Sequence, residues 1–203
     1  MLFRSVEITF VFVTHDQGEA LTMSDRIAVM SHGVVEQIGT PTDIYKRPHS
    51  LFVAGFIGSA NLLPAVVAQG DSQGAAVDLW GGGRVTVGNA NVNADVALTP
   101  GEQVTVMLRP EHLRVAATES GGDAISATVT DVVFQGASVR LVARLANGTE
   151  VTAIVGGDTD LPFLRPDSTV WLSWGADAPF VLDGWPQVAG ATTTNVDSVE
   201  ANL

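Results

Sequence analysis

Four histidines, a single lysine and one Arg-Pro-Glu step hold most of the side chains in this 203-residue chain that could do chemistry. His15 ends the run Ile8-Thr9-Phe10-Val11-Phe12-Val13-Thr14, and Asp16-Gln17-Gly18-Glu19 follows it directly. A histidine held at the tip of a buried strand, ahead of a capped helix, can donate a hydrogen bond to a terminal phosphate. Holding that phosphate requires more than the histidine. A phosphate loop needs a glycine-rich turn that runs into a helix and supplies a lysine. The only lysine is Lys46, between Tyr45 and Arg47 in a predicted helix. No helix-forming stretch follows Gly81-Gly82-Gly83, so that triplet predicts a hairpin turn. Nor does any apolar strand end in Asp-Glu to hold Mg²⁺. The run nearest to such a strand, Phe10 to Asp16, has His15 at its tip and is followed by Gln17, not by an Asp-Glu pair. The sequence carries one of about four parts that phosphoryl transfer requires.

Arg109-Pro110-Glu111 is the second candidate. As a functional pair it could take a ligand or a partner subunit. As a structural pair, Arg109 and Glu111 would pin a strand end that Pro110 terminates. The structural reading is favoured, because isolated ion pairs act locally. His32 falls in a turn, His49 before a helix and His112 beside a strand, without metal-ligand spacing, so all three read as structural.

The elements that position these residues fall into two parts. Ile8–Val13 is a continuous apolar, β-branched and aromatic run, which predicts a strand buried on both faces of a parallel sheet. Asp16 caps the next helix, with Glu19 completing a capping-box-like pair, and that helix ends near Ser24. Ile27–Met30 and Val34–Ile38 read as strands around the turn Ser31-His32-Gly33. Thr40-Pro41-Thr42-Asp43 opens a helix that Pro48 stops, and Ser50 caps another from Leu51 to Ile57. Gly58-Ser59-Ala60-Asn61 reads as a hinge.

From Leu62 the apolar period becomes two. Strands are predicted around Leu63–Ala68, Ala75–Leu79, Arg84–Val87, Gln103–Leu108, Ile125–Phe134, Val139–Leu145, Glu150–Val155, Thr169–Trp174 and Phe180–Leu182. Many short strands at regular spacing predict a small barrel or sandwich. One hairpin can be set in register. A two-residue Asn147-Gly148 loop would place Leu145 opposite Glu150 and every apolar residue opposite a polar one. A three-residue loop, Ala146-Asn147-Gly148 with Gly148 left-handed, pairs Leu145 with Thr149, Arg144 with Glu150, Ala143 with Val151, Leu141 with Ala153 and Val139 with Val155. Only the second register keeps one face apolar, so it is the one predicted. Residues 188–203 lack periodicity and read as a disordered tail.

Composition narrows the classes. The chain is 46% hydrophobic and has no cysteine, so neither a disulfide framework nor a thiolate metal site is available. The first seven residues do not read as a signal peptide, and no apolar window approaches the ~18 residues of a membrane span. Net charge is −12. A nucleic-acid binder needs a basic footprint, and this chain has the reverse.

From Thr9 to about Pro64 the sequence resembles the end of the nucleotide-binding domain of ABC importer ATPases. The string is Val13-Thr14-His15-Asp16-Gln17, Glu19-Ala20-Leu21 and Ser24-Asp25-Arg26-Ile27-Ala28-Val29-Met30. It continues with Gly33-Val34-Val35-Glu36-Gln37-Ile38-Gly39-Thr40-Pro41, Ile44-Tyr45, Pro48, Phe52-Val53-Ala54 and Phe56-Ile57-Gly58. The second half is similar to the TOBE regulatory domain of the same importers. There the markers are Leu108-Arg109-Pro110-Glu111 with Leu113, and Val132-Val133-Phe134-Gln135-Gly136. Trp171-Leu172-Ser173-Trp174 favours the polyamine-type branch.

The resemblance implies a fold that is mainly β with an α/β amino-terminal remnant: a truncated RecA-like ATPase end, then an OB-like TOBE β-barrel. It divides the chain into residues 1–58, the nucleotide-binding remnant; 59–187, the regulatory domain; and the tail. His15 matches the switch histidine that contacts the γ-phosphate, which matters only beside the missing half. Gly18 departs from the acidic residue usual there. ATP and Mg²⁺ belong to the full-length family, and none is expected for this chain alone, which is expected to be inactive as an ATPase. The implied partners are a second copy through the regulatory domain and transmembrane permease subunits, with no nucleic acid and no membrane insertion. The implied location is cytoplasmic, peripheral to the inner face of the cell membrane. Two other readings remain open: a free-standing module that binds a small oxyanion, and a purely structural dimerisation element.

Overall fold

A computed structural model describes residues 9–119, 121–158 and 163–186. The amino-terminal segment begins with helix α1, Gln17–Met23, whose N-cap Asp16 accepts a hydrogen bond from the Glu19 amide at 3.0 Å. The reciprocal half of the cap lies one step outward from the expected pairing. Thr14 Oγ1 donates to the Glu19 carboxylate and accepts from the Asp16 amide. Strands β1 (Ile27–Ser31) and β2 (Val34–Gly39) form a hairpin. Its two loop residues, His32 and Gly33, have φ of 50° and 79°, the left-handed pair that a type I′ turn demands. Helix α2 (Pro41–Lys46) is capped by Thr40, and α3 (Leu51–Phe56) by Ser50, as the sequence predicted.

The strand expected over Ile8–Val13 is not found. Ile8 lies outside the described residues, and residues 9–14 carry no strand. Val11 and Val13 are 91% and 93% exposed. The reason is topological: a strand buried on both faces needs laddered neighbours and covering helices. Here β1 and β2 form a two-stranded sheet by themselves. The apolar run records what such a strand would bury, and the described fold does not supply it.

The remaining strands are β3 (Asn61–Asp71), β4 (Gly74–Leu79), β5 (Arg84–Gly88), β6 (Gln103–Leu108), β7 (Arg114–Ala116), β8 (Ala124–Phe134), β9 (Ser138–Arg144), β10 (Glu150–Gly156), β11 (Thr169–Ser173) and β12 (Phe180–Asp183). All nine predicted strands are present, and β7 adds a tenth that is three residues long. They build two five-stranded antiparallel sheets, ordered β12-β6-β3-β4-β5 and β10-β9-β8-β11-β7. Register shifts in β3 after Val67 and in β8 after Val129 bend the long strands so that the sheets curl around one core. That core draws on both sheets, from Leu63, Val77, Val106 and Leu108 to Leu141, Val151 and Leu172.

The β9–β10 hairpin has the predicted bulged register. Arg144 pairs with Glu150, Ala143 with Val151, Leu141 with Ala153 and Val139 with Val155. The Leu145 amide donates to the Thr149 carbonyl at 2.8 Å, and Gly148 sits at φ 89°. The sheets are tied together by Asn61, whose side chain imitates a strand: Nδ2 donates to the Thr152 carbonyl and Oδ1 accepts from the Thr152 amide, both at 2.8 Å. Gly82 and Gly83, with φ of 93° and 89°, turn β4 into β5.

Two smaller clusters flank α3, and the second attaches the first segment to the barrel. Ile27, Val29, Ile44, Val53 and Ile57 form a local core. On the other side of α3, Ala54 packs with Met107, Phe180 and Leu182. Thus α3 is apolar on both sides and serves as the seam. The turn past it, expected as a hinge, is held firmly for reasons set by one arginine.

Candidate functional site

Strand β6 is buried on both faces. Val104, Val106 and Leu108 point into the barrel, while Thr105 and Met107 point to the other face, where Met107, with Phe180 and Leu182 of the neighbouring β12, packs against Ala54 of α3. Arg109 continues that second face in extended conformation, and Pro110 then ends the strand by opening the 3-10 turn Pro110–His112. The alternation therefore drives a cation beneath the helices, where it is 1% exposed.

There it finishes two helix ends. Nη1 donates to the carbonyls of Ala54 (3.1 Å), Ile57 (2.8 Å) and Ser59 (3.0 Å), and Nη2 donates to the Tyr45 carbonyl at 2.7 Å. These are carbonyls of the last turns of α3 and α2 and of the turn beyond α3, groups that a helix cannot satisfy internally. A cation there also opposes the negative end of each helix. The guanidinium lies over the Tyr45 ring, 4.1 Å from its centroid. Burial lowers its pKa from the ordinary arginine value, yet arginine keeps its charge in proteins. Its Nε is buried without a hydrogen-bond partner.

The ion pair expected between Arg109 and Glu111 is absent. Glu111 instead accepts a short hydrogen bond from the Tyr45 hydroxyl. The two residues therefore meet through Tyr45 and not directly. Burial, and then the hydrogen bond to Glu111, push the Tyr45 hydroxyl up to about 12. Gly58 closes the arrangement. Its φ is +71°, and a Cβ there would lie 2.9 Å from Tyr45 Cε2. Its amide donates to Gln17 Oε1 at 2.7 Å. Through that bond the start of α1, two residues from His15, is fastened to the turn that Arg109 holds.

His15 itself is exposed and makes no hydrogen bond among the described residues. Arg109 and Glu111 are thus brought together with Tyr45, Gly58 and Gln17, and His15 stands at the edge of that group. The sequence reading missed Tyr45, Gly58 and Gln17. The signal for a covered second face was present in β6, whose run Val104–Leu108 is too apolar for a strand with one face in water. His32 occupies the I′ turn and His112 the 3-10 turn after β6. The His49 amide donates to buried Gln37, and its carbonyl accepts from Asn93.

The described residues do not fit ATP or Mg²⁺. Lys46 lies in the last turn of α2, away from any helix N-terminus, and Gly81-Gly82-Gly83 leads into a strand. No group of three or more His, Asp or Glu among the described residues could hold a metal ion.

Comparison with known proteins identifies the barrel. The TOBE domain family matches residues 106–182, from β6 to β12. The chain carries a TOBE domain. Over most of its length it is also homologous to ATP-binding subunits of ABC importers. It is 38% identical over 184 residues to the spermidine/putrescine import ATP-binding protein PotA of Thermobifida fusca, covering 89% of this chain and 46% of that protein. It is 43% identical over 153 residues to PotA of Salmonella typhimurium, covering 74% and 39%. The chain thus spans about half the length of the curated relatives it matches. Among solved structures, the cytoplasmic molybdate-binding protein ModG superposes with a TM-score of 0.51 at 15% identity, over 61% of this chain and 96% of that one. At that identity the likeness is one of fold, and it supports the OB-like barrel.

Among the described residues no helix is long and apolar enough to cross a membrane.

Proposed function

We propose that this chain acts as the carboxy-terminal, regulatory part of the ATP-binding subunit of a polyamine-type ABC importer. Residues 1–58 are the end of the nucleotide-binding domain, with His15 as the switch histidine, and residues 59–187 are the regulatory domain. The subunit pairs with a second copy through its barrel and docks on permease subunits at the cytoplasmic face of the membrane. One observation carries this reading: the segment bearing His15 is homologous to an importer ATPase and is bolted to the TOBE barrel by Arg109. A barrel that regulates nucleotide chemistry needs such a rigid connection, and a free-standing binding module does not.

Alone, the 203 residues neither bind nor hydrolyse ATP, because no lysine-bearing phosphate loop or Mg²⁺-binding strand accompanies His15. Thermal unfolding with and without MgATP tests this, and the expected shift is nil. A nucleotide-dependent shift, or any turnover lost in His15→Ala, refutes it. Sedimentation of the chain tests pairing, where a clean monomer at high concentration counts against the dimer. The related protein ModG is a molybdate binder by name. A net charge of −12 disfavours an oxyanion here, and a calorimetric titration with molybdate checks that directly.

A further inference from the structure

At the rim of the barrel, away from Arg109, the two sheets bring their loops together. Trp80 leaves β4 with its amide bonded to the Pro64 carbonyl at 2.9 Å. Its ring meets Trp185 edge to face, 5.4 Å between centroids and 88° between planes. Next to it, Gly81 lies hard against the β9–β10 loop. A Cβ on Gly81 would stand 2.8 Å from Leu145 Cδ1 and 3.1 Å from Asn147 Oδ1. That close approach sets Asn147 and Thr149 beside the indoles. The resulting groove of about 370 Å³ is lined by Pro64, Trp80, Gln103, Asn147, Thr149 and Trp185.

Three properties define what the groove would accept. Its size falls at the lower end of small-ligand pockets, about 300–1,000 Å³. Its lining has aromatic faces and no charged side chain, although the chain carries 32 charged residues, 10 basic and 22 acidic. Its polar groups have spare capacity. Asn147 spends only Oδ1, on the Thr149 amide, and the Gln103 amide and Thr149 hydroxyl make no hydrogen bond among the described residues. Trp80 is 63% exposed, so its ring, set edge to face with that of Trp185, is accessible from solvent along the groove.

We infer that this groove is a binding site for a neutral pyranose sugar. An apolar ring face stacks on an indole, while amide and hydroxyl groups take the equatorial hydroxyls as donors and acceptors. An oxyanion would call for a cationic donor, which the lining lacks. A polycation would need carboxylates, which it also lacks. OB-type barrels present loops and strands to oligosaccharides in this manner. This inference goes beyond the importer reading and stands independently of it.

The test uses the 203-residue chain, labelled so that the indole N–H resonances of Trp80, Trp171, Trp174 and Trp185 are resolved, and titrates methyl α-glucopyranoside, maltotriose, spermidine and molybdate in parallel. The sugars are expected to move Trp80 and Trp185 saturably and to leave Trp174 in place. Trp80→Ala should weaken sugar binding at least about tenfold, the loss expected of an aromatic anchor, with the circular dichroism spectrum unchanged. Gln103→Ala, at an exposed position, gives a second variant that cannot fail through the core. Sugars that produce no saturable shift overturn the inference. So does a sugar response that survives both substitutions, or a response of these indoles to spermidine or molybdate alone.

Discussion

Replacing Arg109 by methionine tests the connection between the two parts of the chain. The side chains are of comparable length, so the space under α3 stays largely filled while the charge and all four donated hydrogen bonds are lost. A hydrogen bond from a charged donor contributes about 1.5–3 kcal/mol net, so four of them represent a large gross loss. Against it stands the desolvation of a buried cation, several kcal/mol, which methionine does not incur. The carbonyls of Ala54 and Ile57 remain buried under an apolar group, and those of Tyr45 and Ser59 partly so, and the balance stays destabilising, about 2–4 kcal/mol. The loss is local, because the barrel core lies on the other face of β6. Native-state hydrogen exchange reads it out. At about 1.4 kcal/mol per factor of ten, the amides of Ala54 and Ile57 should exchange roughly 30- to 700-fold faster, while Val106 keeps its protection. Arg109→Lys retains the charge without the fork and should fall between the two. Exchange at Ala54 and Ile57 within about twofold of wild type would refute the capping role, as would an equal acceleration at Val106.

Three other perturbations bear on the same architecture. Tyr45 is the only tyrosine, so tyrosinate absorbance reports it alone. Its folded pKa of about 12 lies above the ordinary 10.0, so its contribution is complete below about pH 10 and lost as pH rises through 12; Tyr45→Phe should abolish that alkaline loss in a denaturation series. Asn61→Ala removes both bonds to the Thr152 backbone and should cost about 2–3 kcal/mol in denaturant unfolding, with Asn61→Asp intermediate because only the acceptor survives. Gly58→Ala forces a Cβ against Tyr45 at φ +71° and should cost about 1–3 kcal/mol, again localised to α2 and α3 by hydrogen exchange.

What could be read from the sequence was written in short-range terms. The caps Asp16, Thr40 and Ser50, the His32-Gly33 turn and the β9–β10 register each depend on residues a few positions apart, and all are found as predicted. Strand β7 escaped because three residues carry too little alternation to register, and it exists only through pairing with β11 more than fifty residues later. The strand over Ile8–Val13 failed in the opposite sense. Its composition was sound, but a buried strand is completed by strands laddered to it, and among the described residues no strand is laddered to residues 9–14. Arg109 was singled out for its own motif and assigned the partner two residues away. Its actual acceptors lie 50 to 64 residues upstream, where no periodicity could point. The buried second face of β6 was the remaining clue that something must cover it.

Helices α2 and α3 have six residues each, far below the 12–15 at which an isolated helix becomes even marginal in water. The group that completes both their carboxyl ends arrives on residue 109. During synthesis the ribosome therefore releases α2 and α3 well before their cap exists, and that cap is fixed in place only when β6 is laddered to β3 and to β12, which begins at Phe180. Helices α2 and α3 thus precede in the chain the strands on which their stability depends.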